Sequence, residues 1–189
     1  EIALALSKMG VKTTLISGPT NINFSKEIKV KNVTSAKEMM DEVKEMLPVD
    51  IAVCAAAVAD FKPKIISKRK IKKKTSELKV VELEKNDDIL EYLGKNNKNR
   101  PKVVAGFSAE TENLLNNSML KLKNKYCDLI IANDVSKKNT GFNVDYNKVS
   151  IIYKNGITEN ISKNKKSYIA SLVAKKILEK FLINDKNFN

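Results

Sequence analysis

The stretch Val53-Cys54-Ala55-Ala56-Ala57-Val58-Ala59-Asp60-Phe61 decides how this chain is read. It opens inside a short apolar run, residues 51–57, of the kind a buried strand makes, and passes through small residues to one carboxylate, Asp60. Small side chains at the carboxyl end of a buried strand let a ligand approach the backbone, and ligands of open α/β sheets bind at that end. Alanine runs also fill tight helix–sheet contacts where nothing binds, so this stretch needs companions before it marks a site.

Two companions follow. Val103-Val104-Ala105-Gly106-Phe107 reads as a second buried strand and runs into Ser108-Ala109-Glu110-Thr111. Leu129-Ile130-Ile131-Ala132 reads as a third and runs into Asn133-Asp134-Val135-Ser136. In a parallel sheet these three ends share one edge, which brings Asp60, Glu110, Asn133 and Asp134 together.

Working outward, residues 1–9 read as the end of an amphipathic helix stopped by Gly10, and 11–17 as a β-branched strand before the turn Gly18-Pro19-Thr20. A short strand is expected over 28–33. Thr34 or Ser35 then caps a helix in which Ala36, Met39, Met40, Val43 and Leu47 recur at helical spacing up to Pro48. Asn86-Asp87-Asp88 caps a helix from Ile89 to about residue 97, ended by Arg100-Pro101. A longer helix, about 112–126, carries Leu115, Met119 and Leu122 on one face and Lys121, Lys123 and Lys125 opposite. Val149 to Tyr153 and Ile157 to Ile161 flank Asn155-Gly156 as a β-hairpin, and a final helix is expected over 165–182. The alternation predicts an α/β fold with a doubly wound, mostly parallel sheet and a β-hairpin extension, in one domain over 1–183 with a frayed tail from 184 to 189. Such a fold normally places a strand and a glycine-bearing loop before the first helix, and this reading puts them upstream of Glu1.

The helix–strand alternation breaks between 61 and 85, which reads as an arm. Phe61-Lys62-Pro63-Lys64 forms a loop, and Leu78 to Leu83 alternates as an exposed strand. Between them, Lys68-Arg69-Lys70-Ile71-Lys72-Lys73-Lys74 is either a solvated edge whose lysines block strand pairing or a mobile arm that reaches phosphates.

Composition narrows the chemistry. With 189 residues, 42% hydrophobic and 30% charged, the chain can bury a core without disulfides and fits a soluble globular protein. Lys plus Arg is 35 against 22 Asp plus Glu, a net charge of +13 that favours anionic partners: nucleic acid, an anionic membrane or phosphorylated small molecules. The excess is nearly all Lys, beside abundant Asn, a pairing that codon bias also produces. A nucleic-acid module would interleave Arg, Tyr and Phe on one patch, and that pattern is not present. No apolar run approaches the roughly 18–20 residues of a membrane span, and no signal-peptide pattern opens the chain, which reads as cytoplasmic. Histidine is absent, which removes Ser-His-Asp and Cys-His mechanisms and His-ligated zinc. Cys54 and Cys127 are far apart, without CxxC spacing, and read as buried free thiols. Neither GxxxxGK[ST] nor GxGxxG occurs. Lysines and carboxylates remain, a set suited to nucleotide chemistry, where catalysis is mostly positioning and charge stabilisation.

The segments AAAVADF (55–61), KIKK (70–73), KNDDIL (85–90), GFSAET (106–111) and ANDVS (132–136), with LISGPT (15–20) and GFN (141–143), resemble phosphopantothenoylcysteine synthetase, the C-terminal half of a bacterial bifunctional coenzyme A biosynthesis protein. They stand in that family's order over essentially the whole chain. The resemblance implies a Rossmann-like homodimeric ligase that joins 4′-phosphopantothenate to cysteine. CTP activates the carboxylate as an acyl-cytidylate, cysteine displaces CMP, and magnesium is required.

It further implies that the backbone at Cys54, Ala55 and Ala56 approaches the nucleotide and that Asp60 contacts it. Lys70 acts catalytically from a mobile arm, and Asp87, Asp88, Ile89 and Leu90 match a nucleotide-binding segment, with Asp87 where proline is common. Phe107 packs at the nucleotide, Lys121 and Lys125 reach its phosphates, and Asn133 and Asp134 lie near the phosphopantothenate. The resemblance places a glycine-rich, serine-containing loop, an asparagine acting on the acyl-cytidylate and, in bifunctional members, a decarboxylase domain upstream of Glu1. Two other classes remain beside it: a basic nucleic-acid-binding α/β module, and a dinucleotide-dependent oxidoreductase, which would need a glycine fingerprint and a Tyr-x-x-x-Lys pair that the chain lacks.

Overall fold

The computed structural model describes residues 1–67, 80–95, 98–136 and 145–186. Lys70 and the rest of the basic run, Leu78 at the start of the expected exposed strand, and Gly141-Phe142 lie outside the described residues.

A five-stranded sheet forms the centre, in the order β3 (Ile51–Cys54), β6 (Val103–Glu110), β7 (Leu129–Asp134), β8 (Tyr146–Tyr153) and β9 (Thr158–Lys165). β3, β6 and β7 run parallel, with Cys54 opposite Gly106 and Glu110 opposite Asp134. β8 and β9 add antiparallel, joined through Gly156 at φ +87°, where Asn155-Gly156 was expected to turn the chain. Two further pairs stand beside this sheet. β1 (Thr14–Ser17) and β2 (Lys29–Asn32) are parallel, and β4 (Phe61–Pro63) and β5 (Leu83–Lys85) form an antiparallel ribbon.

Helices cover both faces of the central sheet. On one face α2 (Ala36–Met46), α3 (Ile89–Lys95) and α4 (Leu114–Asn124) enclose a cluster of Met39, Met40, Leu90, Leu93, Leu122 and Ile130. On the other, α5 (Lys166–Lys186) lays Ile169, Val173 and Ile177 on Leu129, Ile131 and Ile151, and α1 (Ile2–Lys8) packs Ala5 and Leu6 against Ala170 and Ala174. β7 is buried from Leu129 to Ala132, so its apolar residues are continuous rather than alternating, as a strand covered on both faces requires.

The local signals act as the sequence indicates at most ends. Gly10 adopts φ +84° just past α1. Ser35 caps α2, its hydroxyl accepting from the Glu38 N–H at 3.2 Å, while Glu38 reaches back to the Thr34 N–H at 2.8 Å. Asp88 caps α3, its Oδ1 accepting from the Glu91 N–H at 2.8 Å.

Several boundaries differ from expectation for identifiable reasons. The opening stretch makes only a four-residue, half-buried strand, and Ala55 to Ala57 are exposed and irregular rather than the end of a buried strand. Alanine has weak strand preference, and β3 pairs only with β6 among the described residues. β1 begins at Thr14 rather than Val11. The arm's second strand is displaced to Leu83–Lys85, because its register is set by β4: Lys62 faces Glu84, and the two form a salt bridge at 3.3 Å. Phe61 to Pro63, expected as loop, is β4 itself. α5 continues to Lys186, so Ile183 and the first residues of the expected frayed tail are helical. Asn184 donates to the Lys102 carbonyl at 2.8 Å, and Asp185 pairs with the Lys102 ammonium. No described helix is long and apolar enough to cross a membrane.

Candidate functional site

The parallel strands carry their carboxyl ends to one edge, and each end presents different chemistry. At the end of β3, the Cys54 thiol is packed against the α3–α4 core cluster. Burial pushes its pKa up to about 12; Asp88, at the start of α3, adds to the shift and Lys121, on α4, opposes it. Lys121 is half-buried and forms no ion pair among the described residues. Lys125, one turn further along, is engaged: its ammonium lies 2.9 Å from Asp88 Oδ2 and 3.0 Å from Glu91 Oε2. Glu91 also pairs with Lys95, and these two lysines hold its carboxyl down at about 2, the hydrogen bond from Lys95 being the largest single cause and that from Lys125 the next.

Strand alternation sorts the ends of β6 and β7 onto opposite faces. Val104, Ile130 and Ala132 belong to the α3–α4 cluster, so Gly106, Ser108, Glu110 and Asp134 share that face. Val103, Leu129 and Ile131 belong to the α5 cluster, and so do Phe107 and, by position, Asn133. The expected convergence of Glu110, Asn133 and Asp134 is therefore partial. Glu110 and Asp134 are register partners on one face, while Asn133 points the other way beside Phe107. Glu110 is fixed by the buried Ser108 hydroxyl at 2.6 Å and the Asn117 amide at 3.2 Å. Asp134 Oδ1 accepts from the Ser136 N–H at 3.0 Å and its hydroxyl at 2.6 Å. Asn133 Oδ1 is buried with no hydrogen-bond donor among the described residues, an arrangement that a ligand donor would relieve at a gain of order 1–3 kcal/mol.

The remaining candidates occupy the approach to this edge. Ala55 and Ala56 are exposed, with no side-chain bulk to block the backbone. Asp60 is exposed, and its segment is tied to the α3 lead-in: the Asn86 N–H donates to the Asp60 carbonyl at 2.8 Å and the Asn86 amide to the Ala59 carbonyl at 2.9 Å. The chain therefore brings the end of CAAAVAD against KNDDIL. Ile89 and Leu90 have buried side chains and leave only backbone to a ligand. Gly106 makes this closeness possible, since a Cβ there would stand 2.7 Å from Leu90 and 2.8 Å from Ile130. A concavity of about 550 Å³ lies between α2 and α3, lined by Lys44, Asp87, Asp88, Glu91 and Tyr92 among others. It takes in Asp87 and Asp88 but not Cys54, Phe107 or Lys121, so it adjoins the strand-end site rather than filling it.

Sequence reasoning passed over Ser108, Glu91 and Asn117. The first had a readable signal, because Ser108 and Glu110 stand two apart on one strand and must share a face. Glu91 had one too, since Lys95 stands four residues on in α3, but its pairing with Lys125 and that of Asn117 with Glu110 join separate elements, and no spacing in the chain encodes those meetings.

The sheet places the chain in the class of α/β proteins whose ligand sites, where they have them, lie at the carboxyl ends of the parallel strands. The chain belongs, over residues 1–181, to the family described as DNA/pantothenate metabolism flavoprotein C-terminal domain. It is 39% identical over 170 residues to the coenzyme A biosynthesis bifunctional protein CoaBC of Borreliella burgdorferi, covering 89% of this chain and 42% of that protein. It is 36% identical over 179 residues to a prokaryotic protein named cysteine/cysteine sulfinic acid decarboxylase, covering 94% of this chain and 49% of that one. The crystal structure of the C-terminal domain of a CoaBC protein superimposes with a TM-score of 0.74 at 29% identity, over 97% of this chain and 81% of that chain. The chain spans about half the length of the curated relatives it matches.

Proposed function

We propose that this chain is the ligase domain of coenzyme A biosynthesis that joins 4′-phosphopantothenate to cysteine at the expense of CTP. The observation that carries the reading is the edge shared by β3, β6 and β7, with Ala55 and Ala56 exposed at the end of β3 and the buried Asn133 oxygen without a donor among the described residues at the end of β7, in a chain of this family. The substrate carboxylate oxygen attacks the α-phosphorus of CTP and expels pyrophosphate. The cysteine amine then attacks the acyl carbon, loses a proton and expels CMP. Neither step requires a protein nucleophile, in keeping with a histidine-free chain whose Cys54 thiol is held neutral.

The residue roles are those that the family resemblance implies. Lys121 supplies positive charge beside the β3 end, where the nucleotide backbone contacts at Cys54, Ala55 and Ala56 are assigned. Lys125 stands behind it on Asp88. Lys70 is assigned to the reacting phosphates, and Asp87 to Leu90 contribute backbone. Phe107 and Asn133 form the opposite rim, where the unpaired Asn133 oxygen suits a donor on the phosphopantothenate. Asp134 stands on the other face, beside Glu110, and is assigned a supporting role there. Among the described residues no three acidic or thiol side chains cluster as a metal cage. Exposed Asp60 would be available to a magnesium ion carried in on the triphosphate, which would supply charge neutralisation.

The ribbon supports the homodimer. Phe61, Leu83, Val81 and Ile65 are 53–81% exposed, while Lys62–Glu84 and Lys64–Glu82 ion pairs occupy paired positions between them. An apolar ribbon of this kind gains by pairing with its own copy. An upstream decarboxylase domain completes the longer protein by analogy with its bifunctional relatives.

The test is turnover by the longer protein carrying this chain. With 4′-phosphopantothenate, cysteine, CTP and magnesium, it is expected to release pyrophosphate and CMP in equal amounts. No CMP release overturns the reading. Tight, steeply salt-dependent binding to single- or double-stranded nucleic acid in its place would favour the basic-module alternative.

A further inference from the structure

Lysines at the two ends of one packed pair of elements, β9 and α5, are treated differently. At the far end Lys176 is held by Glu159 at 2.9 Å and by Glu179 at 3.2 Å. At the near end, where β9 runs into α5, Lys163, Lys165 and Lys166 form no ion pair among the described residues, and neither does Lys148 on β8. Main-chain pairing brings these four to one corner. β8 runs antiparallel to β7 with Val149 opposite Asn133, so its first residues extend beyond the carboxyl end of β7. There Tyr146 faces Lys165, and the Lys166 N–H donates to the Asp145 carbonyl at 2.8 Å. Asn147 pairs with Asn164 and Val149 with Ile161, so Ser162 and Lys163 together oppose Lys148 in a bulge. A bulge re-aims the side chains it carries, and the Lys163 ammonium lies 5.9 Å from the centre of the exposed Tyr146 ring. The carboxylates of the corner are Asp145 and, at the adjoining end of β7, Asp134, so four lysines stand against two acids. The first turn of α5 adds no acidic residue.

Like charges gathered on an exposed corner repel one another and bury little surface. What they create is a local positive potential, which raises the concentration of anions at an adjoining site. We propose that this corner is an encounter surface for phosphorylated substrates: it gathers them at the carboxyl-end edge of the sheet, beside the end of β7, without holding them during the reaction. The inference rests on the ligase reading, in which CTP and 4′-phosphopantothenate are anions and cysteine is a zwitterion with no net charge. The arrangement suits gathering rather than holding. None of the four lysines is buried, and the three on β9 and α5 follow the chain around the corner instead of converging on one point. Attraction at a distance needs only their summed charge.

The experiment uses the longer protein carrying this chain and measures kcat and KM for each substrate from about 10 mM to about 500 mM salt, which shortens the reach of charge from roughly 30 Å to under 8 Å. One variant is Lys163→Gln/Lys165→Gln/Lys166→Gln. Its control is Lys175→Gln/Lys180→Gln/Lys186→Gln, which removes the same charge from the half of α5 that runs away towards Lys102. The corner variant is expected to lower kcat/KM for CTP and for 4′-phosphopantothenate about five- to tenfold at the lowest salt. The loss should shrink to less than about twofold at the highest. Its kcat and its KM for cysteine should stay unchanged, and the control should lose less than about twofold throughout. The inference is overturned if the corner variant shows no loss at low salt. It is also overturned if the control loses as much, since net charge alone would then account for the effect. A loss that persists at high salt, a fall in kcat or a raised KM for cysteine overturns it too, because each shows a direct or structural role at the site. Absence of CTP turnover in the unsubstituted protein is a different result: it removes the ligase reading, and this inference with it.

Discussion

The central sheet and the β4–β5 ribbon contain similar apolar residues and treat them in opposite ways. In β6, β7 and β8, Val103, Val104, Leu129, Ile130, Ile131, Ile151 and Ile152 are wholly buried between helices on both faces. In the ribbon, Phe61 and Leu83 are 53% and 59% exposed, and Ile65, Ile66 and Val80 just beyond its strands are 75–81% exposed. The sheet has helices on each side and a strand on each flank, whereas the ribbon has two short strands and cross-strand ion pairs. A two-stranded ribbon alone is marginal in water. The sheet is therefore the part that folds the domain, and the ribbon is the part whose exposed apolar surface the proposed homodimer would cover.

The sharpest way to break this contrast is at the sheet. Ile130→Ala removes side-chain volume from a fully buried strand position and should cost about 2–5 kcal/mol in urea unfolding. A cost below 1 kcal/mol would show that the sheet is not the stabilising core. Gly94→Ala comes next. Alanine is ordinarily preferred over glycine in a helix by about 1 kcal/mol, yet here its Cβ would press on the Lys125 carbonyl. A net loss of about 1–3 kcal/mol is expected, as for other overpacked sites, and a gain in stability would disprove the close contact.

At the ribbon the expected stability change is small. Leu83→Ser should alter the stability of the isolated chain by no more than about 0.5 kcal/mol, because the side chain is already in water. The same change should shift the proposed dimer to monomer in sedimentation, and an unchanged mass would show that the ribbon is not the interface. A subtler effect is expected from Glu91, whose carboxyl is held down at about 2 by Lys95 and Lys125. A depressed folded pKa contributes stability above the ordinary carboxylate value and loses it as pH falls towards the folded one. The melting-temperature difference between the unsubstituted chain and Glu91→Gln should accordingly be full at pH 6 and shrink as pH falls from about 4.5 towards 2. A difference that is flat across that window would show that the pairs contribute nothing. The smallest signal is an expected non-reaction. With burial holding the Cys54 thiol up at about 12, alkylation by iodoacetamide at pH 8 should be far slower in the native chain than in urea.

The same contrast explains which features were legible in advance. Ile130 and its neighbours announced themselves as a continuous apolar run, and Ser35, Asp88, Gly10 and Asn155-Gly156 marked their element ends through local chemistry. The ribbon was less legible. Its second strand was expected at 78–83 and lies at 83–85, because the partner strand and the Lys62–Glu84 pair set its register. α5 also runs past its apolar periodicity, since Asn184 and Asp185 find partners on Lys102 that no local pattern reveals.

By itself the sequence determined the α/β class, the strands that end in small and polar residues, and the motif set by which the family was anticipated. These depend on period, capping and turn chemistry, all of which act within a few residues. Only the tertiary structure decided which polar ends meet. Strand alternation parts Asn133 from Glu110 and Asp134, and helix packing gives Lys121 and Lys125 different neighbours although both stand on the same lysine-rich face. The physical reason is that a side chain's charge partners are set by elements distant in sequence, so two lysines alike in the chain can differ in what they hold.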